Sequence, residues 1–154
     1  MANVPRIDRE GKLFRAPDGD SSTCALQALM VVTGCSWDLA KHLADMTGRR
    51  KGRGTYSHLL IAEWNQQPGI AKLIPVPKAG EWYKETLNQF VAKFPCGVFY
   101  VVISGHALAA ITGRIVDTTT QYRQPKARIK YVWVREDTWQ GNSQQVVNTI
   151  GPEF

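Results

Sequence analysis

Three residues of this chain have the chemistry for covalent catalysis when brought together: Cys24, His106 and Asp117. A thiol becomes a strong nucleophile when a base takes its proton, and the base works best when a third group fixes its tautomer. Cys24 opens the apolar run 23–32, which reads as the first turns of a buried helix. At a helix start, unpaired N–H groups and the helix dipole favour a thiolate. His106 begins the apolar segment 105–111, and Asp117 closes the next one, 115–117. The expected arrangement is a nucleophile on a helix start, a base on a strand and an orienter on the neighbouring strand. The other cysteines and histidines fit plainer roles. Cys35 and Cys96 have no helix start behind them and read as small buried hydrophobes. His42 and His58 sit among helical polar positions and read as surface residues.

The elements that must hold these groups are legible in caps and periods. Residues 1–20 are polar, rich in Asp, Gly and Pro, and read as an irregular lead-in. Ser21, Ser22 and Thr23 offer N-caps for a helix over 23–33, stopped by Gly34. Ser36 caps a second helix over 37–47, and Thr55 or Ser57 opens a third that stops before Pro68. The period then changes. A short strand spans 71–76, and Thr86 caps a helix reaching Phe94. Strands follow at 97–104, 106–112, 114–118 and 128–135, the last with Ile129, Tyr131 and Trp133 alternating against Lys130, Val132 and Val134. Thr112-Gly113 or Gly113-Arg114 is a two-residue turn, and any such turn puts His106 and Asp117 on one face of the hairpin. Residues 21–136 form the domain, and 137–154 read as a polar tail. Helices first and antiparallel strands later make an α+β order.

Composition narrows the class. With 154 residues, 44% hydrophobic and 21% charged, the chain has the make-up of one globular domain. It has no run of 18 apolar residues and no hydrophobic signal region at its start, so the expectation is a cytoplasmic protein with no membrane partner. Three cysteines without a CxxC pair or paired histidines suggest neither a disulfide framework nor structural zinc. The chemistry needs no metal and no organic cofactor. The net charge of +6 permits an acidic partner. Arg49, Arg50, Lys51 and Arg53 are the densest basic cluster and read as a solvated loop between helices, with partner binding as the functional alternative. No aromatic interleaves the cluster, which makes nucleic acid an unlikely partner.

The order Thr23-Cys24-Ala25-Leu26-Gln27-Ala28-Leu29 with Thr33-Gly34, then 48–55, then Gly105-His106-Ala107-Leu108-Ala109 and Val116-Asp117-Thr118, resembles small papain-like cysteine-peptidase-related proteins of bacteriophages and bacteria. It is similar to the cores of the leader peptidases that process bacteriocins. The resemblance spans about residues 20–135. It implies a papain-like fold, with N-terminal helices packed on a C-terminal antiparallel sheet, and a Cys24–His106–Asp117 triad. The implied activity is thiol-dependent acyl transfer, most simply hydrolysis of a peptide or isopeptide bond. The implied partner is a protein or peptide, including a host protein in a host cytosol if the chain is phage-encoded. One departure stands out. Papain-like peptidases usually carry a Gln shortly before the nucleophile, donating to the oxyanion. Here residues 18–23 hold neither Gln nor Asn, which leaves Ser22 and Thr23 as side-chain candidates. Two alternatives follow: a catalytically weak or silent scaffold that binds a host protein, and a thiol acyltransferase with an acceptor other than water.

Overall fold

The computed structural model describes residues 22–76, 85–116 and 127–139. Three helices come first: α1 (Cys24–Thr33), α2 (Trp37–Met46) and α3 (Ser57–Asn65). Local chemistry sets their ends. Gly34 adopts the left-handed conformation at φ 79° and returns its N–H to Met30, which closes α1. Ser36 caps α2 by accepting from the Leu39 N–H at 3.1 Å. Neither Thr55 nor Ser57 caps α3; its N-cap is Tyr56, with no side-chain cap bond. A short strand β1 (Leu73–Pro75) and helix α4 (Leu87–Lys93) follow. Thr86 and Gln89 form a reciprocal capping box on α4. The chain then lays down β2 (Val98–Ile103), β3 (His106–Ile111), β4 (Arg114–Val116) and β5 (Ile129–Arg135), and a 3₁₀ turn at Glu136–Thr138.

The five strands form one antiparallel sheet in the order β1-β5-β2-β3-β4. This is an α+β architecture with the helices N-terminal and the antiparallel sheet C-terminal. Both faces of the sheet are covered. Val98, Tyr100 and Val102 of β2 face α1–α3, while Phe99, Val101 and Ile103 face α4. Double coverage explains why β2 reads as an unbroken apolar run rather than an alternation. β3 divides in the same way: Ala107 and Ala109 lie in the α1 layer, Leu108 and Ala110 in the α4 layer. The alanines let α1 approach the sheet closely. α1 itself buries Leu26, Leu29 and Val32 completely, each worth about 1.5–3 kcal/mol over exposure. Seven of its ten residues are buried, so it is an internal helix with little water face.

α3 is tied to β1 by side chains that substitute for backbone partners. Asn65 donates to the Leu73 carbonyl and accepts from the Leu73 N–H, both at 2.8 Å. Trp64 Nε1 donates to the Ala71 carbonyl at 3.1 Å. Pro75 ends an edge strand, where its missing N–H removes no interior ladder bond.

Two details depart from the sequence expectation. β5 does not alternate through its length. Its register against β2 shifts between Val102 and Ile103, so Tyr131 pairs with Val102 while Ile129 pairs with Ile103. This bulge turns Ile129 into the α4 layer beside Val132 and Val134. Ordered packing also runs past residue 136. Thr138 Oγ1 accepts from the Val98 N–H, and Trp139 stacks edge-on against Phe99. No helix among the described residues is long and apolar enough to cross a membrane.

The β3–β4 turn is Thr112-Gly113, with φ 46° and 78°. Positive φ at both central residues defines a type I′ turn, which suits the strand twist but disfavours a β-branched residue. Asn at the first position tolerates the left-handed region. Thr112→Asn is therefore expected to raise unfolding free energy by about 1 kcal/mol, measured by urea denaturation. No gain would mean that the Thr112 conformation carries little strain.

Candidate active site

The site is built from the start of α1 and the ends of the strands beneath it. Two hydrogen bonds fix the direction of α1 across the sheet. Near its start, the Ala25 carbonyl accepts from the Tyr100 hydroxyl at 3.4 Å. At its end, the Val32 carbonyl accepts from Arg135 Nη1 at 3.2 Å. Arg135 closes β5 at the sheet end marked by Val98 and Ile111, because Val134 pairs with Phe99. α1 therefore starts over the opposite end, where Ile103 pairs with His106. Cys24 and His106 lie at the same end of the sheet.

Their sides differ. Cys24 packs in the layer that includes Ala107 and Ala109. His106 is the first residue of β3, and the pleat sets it in the row of Leu108 and Ala110, on the α4 side. It is only 4% exposed. Gly105 precedes it at φ 68° in the tight β2–β3 turn. The β5 bulge falls at the same sheet end, opposite Ile103, and bulges add local twist. Sequence alternation related His106 to Asp117 but did not relate either to the helix layer. The β3–β4 register pairs Ala109 with Val116 and Ile111 with Arg114, as a two-residue turn requires. Asp117, the expected orienter, lies outside the described residues.

Tyr100 is the residue of the candidate site that sequence reasoning missed. It is fully buried under α1, and its hydroxyl also lies 2.8 Å from Ser57 Oγ, at the first residue of α3. One phenol thus joins the sheet to the starts of both helices. Burial pushes its pKa well above the usual tyrosine range, the Ser57 hydrogen bond lowers it somewhat, and charge on Cys24 raises it. The last cause places the phenol within electrostatic reach of the thiol. The only sequence signal was a tyrosine inside an apolar strand, since a buried phenol needs a polar partner.

The residues before the nucleophile behave differently from each other. Ser22 is exposed and left-handed, at φ 56°. Thr23 is the N-cap residue of α1 and is buried, yet its side chain makes no cap bond. Its hydroxyl oxygen instead accepts from Gln27 Nε2 at 2.6 Å.

The basic loop needs a correction. Arg49 is not solvated; it is 8% exposed, and its Nε donates to the Arg53 carbonyl at 2.8 Å. The Arg53 N–H closes back on the Arg50 carbonyl. Arg49 thus braces the turn from inside, while Arg50, Lys51 and Arg53 are exposed. Ser57, the first residue of α3, lies four residues after Arg53, so these three cations precede the α3 start in the chain. Among the described residues, no group of three or more His, Cys, Asp or Glu is placed to hold a metal ion.

Two outcomes follow from this geometry. Replacing Arg50, Lys51 and Arg53 together with Ser should change stability by less than about 0.5 kcal/mol, as exposed sites usually do. Arg49→Ser should lose about 1–3 kcal/mol, because it removes a buried charged donor. Equal melting temperatures for the two variants would show that the Arg49 contact does not brace the loop. At high pH, Tyr100 should stay protonated in the folded state, because burial raises its pKa. Its folded pKa lies above the unfolded value near 10, so its contribution is intact below about pH 10 and is lost as pH rises further. Tyrosinate absorbance should show it ionising only with unfolding, and Tyr100→Phe should flatten the alkaline loss of stability. Ionisation of Tyr100 in the folded protein near pH 10 would contradict this.

Comparison of the chain with protein-family models, with curated proteins and with solved structures finds no match.

Proposed function

We propose that this protein is a cysteine-dependent acyl-transfer enzyme of papain-like design, most simply a peptide or isopeptide hydrolase. Cys24 is the nucleophile, His106 the general base and Asp117 the group that orients the imidazole. The observation that carries this reading is directional. The Tyr100–Ala25 and Arg135–Val32 hydrogen bonds set the start of α1, with Cys24 as its first residue, over the sheet end where His106 opens β3. Because the pleat puts His106 on the α4 side, the thiol and imidazole meet around the rim of the sheet rather than through it.

In this scheme His106 takes the thiol proton and the thiolate attacks an acyl carbon. The bond to the leaving group breaks and the leaving group departs with the proton held by His106; water then hydrolyses the thioester, which frees the acid and restores the Cys24 thiol. An amine acceptor in place of water would make the same site an acyltransferase. The partner is a protein or peptide, and exposed Arg50, Lys51 and Arg53 favour one with an acidic surface. A second reading has one observation in its favour: the pleat directs His106 away from the α1 layer. Under that reading the chain is a silent scaffold that binds a protein.

Alkylation kinetics separate the two. Cys24 should react with iodoacetamide near neutral pH at least about tenfold faster than Cys35 or Cys96, as expected of a thiolate-enriched cysteine. His106→Ala should slow Cys24 and leave the other two unchanged. Labelling can be followed by peptide mass mapping. Equal rates for all three cysteines in the folded wild type would remove the nucleophile and favour the silent scaffold.

A further inference from the structure

We propose that the Thr23 hydroxyl, held in place by Gln27, is the side-chain donor that stabilises the oxyanion formed when Cys24 attacks an acyl group. This inference rests on the reading of Cys24 as nucleophile and supplies the donor that residues 18–23 lack in the form of a Gln or Asn.

The argument starts from an N-cap that does not cap. α2 and α4 begin with Ser36 and Thr86, whose side-chain oxygens accept from a backbone N–H at 3.1 and 3.2 Å. Thr23 occupies the same position on α1 but leaves the backbone unbonded by its side chain. Its oxygen is taken by Gln27 Nε2, four residues on, at 2.6 Å. Helical side chains lean toward the N-terminus, so residue i+4 lies directly over residue i. Both residues are only 7% exposed, so the bond is shielded from competing water.

A hydroxyl that accepts from an amide N–H cannot point its own proton back at that nitrogen. The proton is directed elsewhere, and the hydroxyl remains a donor. Gln27 thus fixes a donor next in the chain to the nucleophile. Gln27 Oε1 is buried with no hydrogen-bond partner among the described residues, so the carboxamide is not fully used by the fold. Exchanging its oxygen and nitrogen would bury an unpaired N–H instead of an unpaired C=O, which is the rarer arrangement in proteins. Ser22 is the weaker candidate, because it is exposed and no partner among the described residues aims its hydroxyl.

The ligand is therefore the carbonyl of an acyl donor. As the Cys24 sulfur bonds to the acyl carbon, the carbonyl π pair moves onto oxygen, and that oxygen accepts from Thr23. Collapse reforms the C=O bond and breaks the bond to the leaving group, which departs with the proton held by His106. Thr23 keeps its own proton throughout. Thr23 is a catalytic residue in this account, and Gln27 is a positioning residue.

The test compares two reagents on the full chain. Acylation by p-nitrophenyl acetate passes through an oxyanion; alkylation by iodoacetamide does not. Cys24→Ala gives the background for both. One missing oxyanion donor typically lowers rate by about 10²–10³. With an activated ester, Thr23→Val and Gln27→Met should each slow acylation at Cys24 by at least about tenfold. Their alkylation rates and melting temperatures should stay close to wild type, and Thr23→Ser should restore acylation. Unchanged acylation in Thr23→Val would overturn the proposal. So would a parallel fall in acylation, alkylation and melting temperature, because that marks a purely structural bond. Wild-type Cys24 inert to both reagents would instead remove the nucleophile reading itself, and this proposal with it.

Discussion

The structure turns on one buried phenol. Tyr100 sits in the central strand of the sheet with no exposure, and its hydroxyl meets Ser57 and the Ala25 carbonyl. A buried hydroxyl without partners is costly, so any packing of α1 and α3 that fails to supply them is disfavoured. The constraint acts on direction as well as position. Ala25 is the second residue of α1 and Ser57 the first of α3, so the phenol selects the arrangement in which both helices start over the same end of the sheet. Arg135 reinforces it at the far end, where its guanidinium complements the negative end of the α1 dipole.

That geometry gives the proposed site its character. Cys24 belongs to one layer of a doubly covered sheet and His106 to the row facing the other. The proposed site therefore straddles a sheet end, with His106 only 4% exposed. It also depends on features that shape the rim: the tight turn at Gly105 and the bulge in β5. Both lie within one strand of His106. Bulges add local twist, and this one falls at the sheet end where Ile103 pairs with His106.

Helix boundaries were legible in the sequence wherever a local device sets them. Gly34, Ser36 and Thr86 act through bonds within four residues, and each does what its residue type suggests. The hairpin at Thr112-Gly113 was legible for the same reason, since the turn alone fixes the register. Features that depend on distant partners were hidden. The β5 bulge exists only in the pairing with β2, so the alternation of Ile129 with Tyr131 and Trp133 looked regular along the chain. Arg49 appeared to be one of four equivalent cations until folding put its side chain inside the loop. The Thr23–Gln27 bond is a local i, i+4 contact, but a Thr before a helix reads first as a cap. The helix start at Cys24 and the strand start at His106 fall where caps and periods put them, while Asp117 lies outside the described residues.

The sheet's two outer strands, β1 and β4, are each three residues long as described. Edge strands present open backbone donors and acceptors to other chains, and long flat ones template aggregation. Here one edge carries a proline that cannot donate, and the other is a short hairpin arm. The long apolar strands, β2 and β3, are interior and paired on both sides. The sequence thus places its most β-prone segment, 98–103, where no second copy can add to it. A small, strongly apolar sheet in this way keeps its most apolar backbone out of reach of other chains.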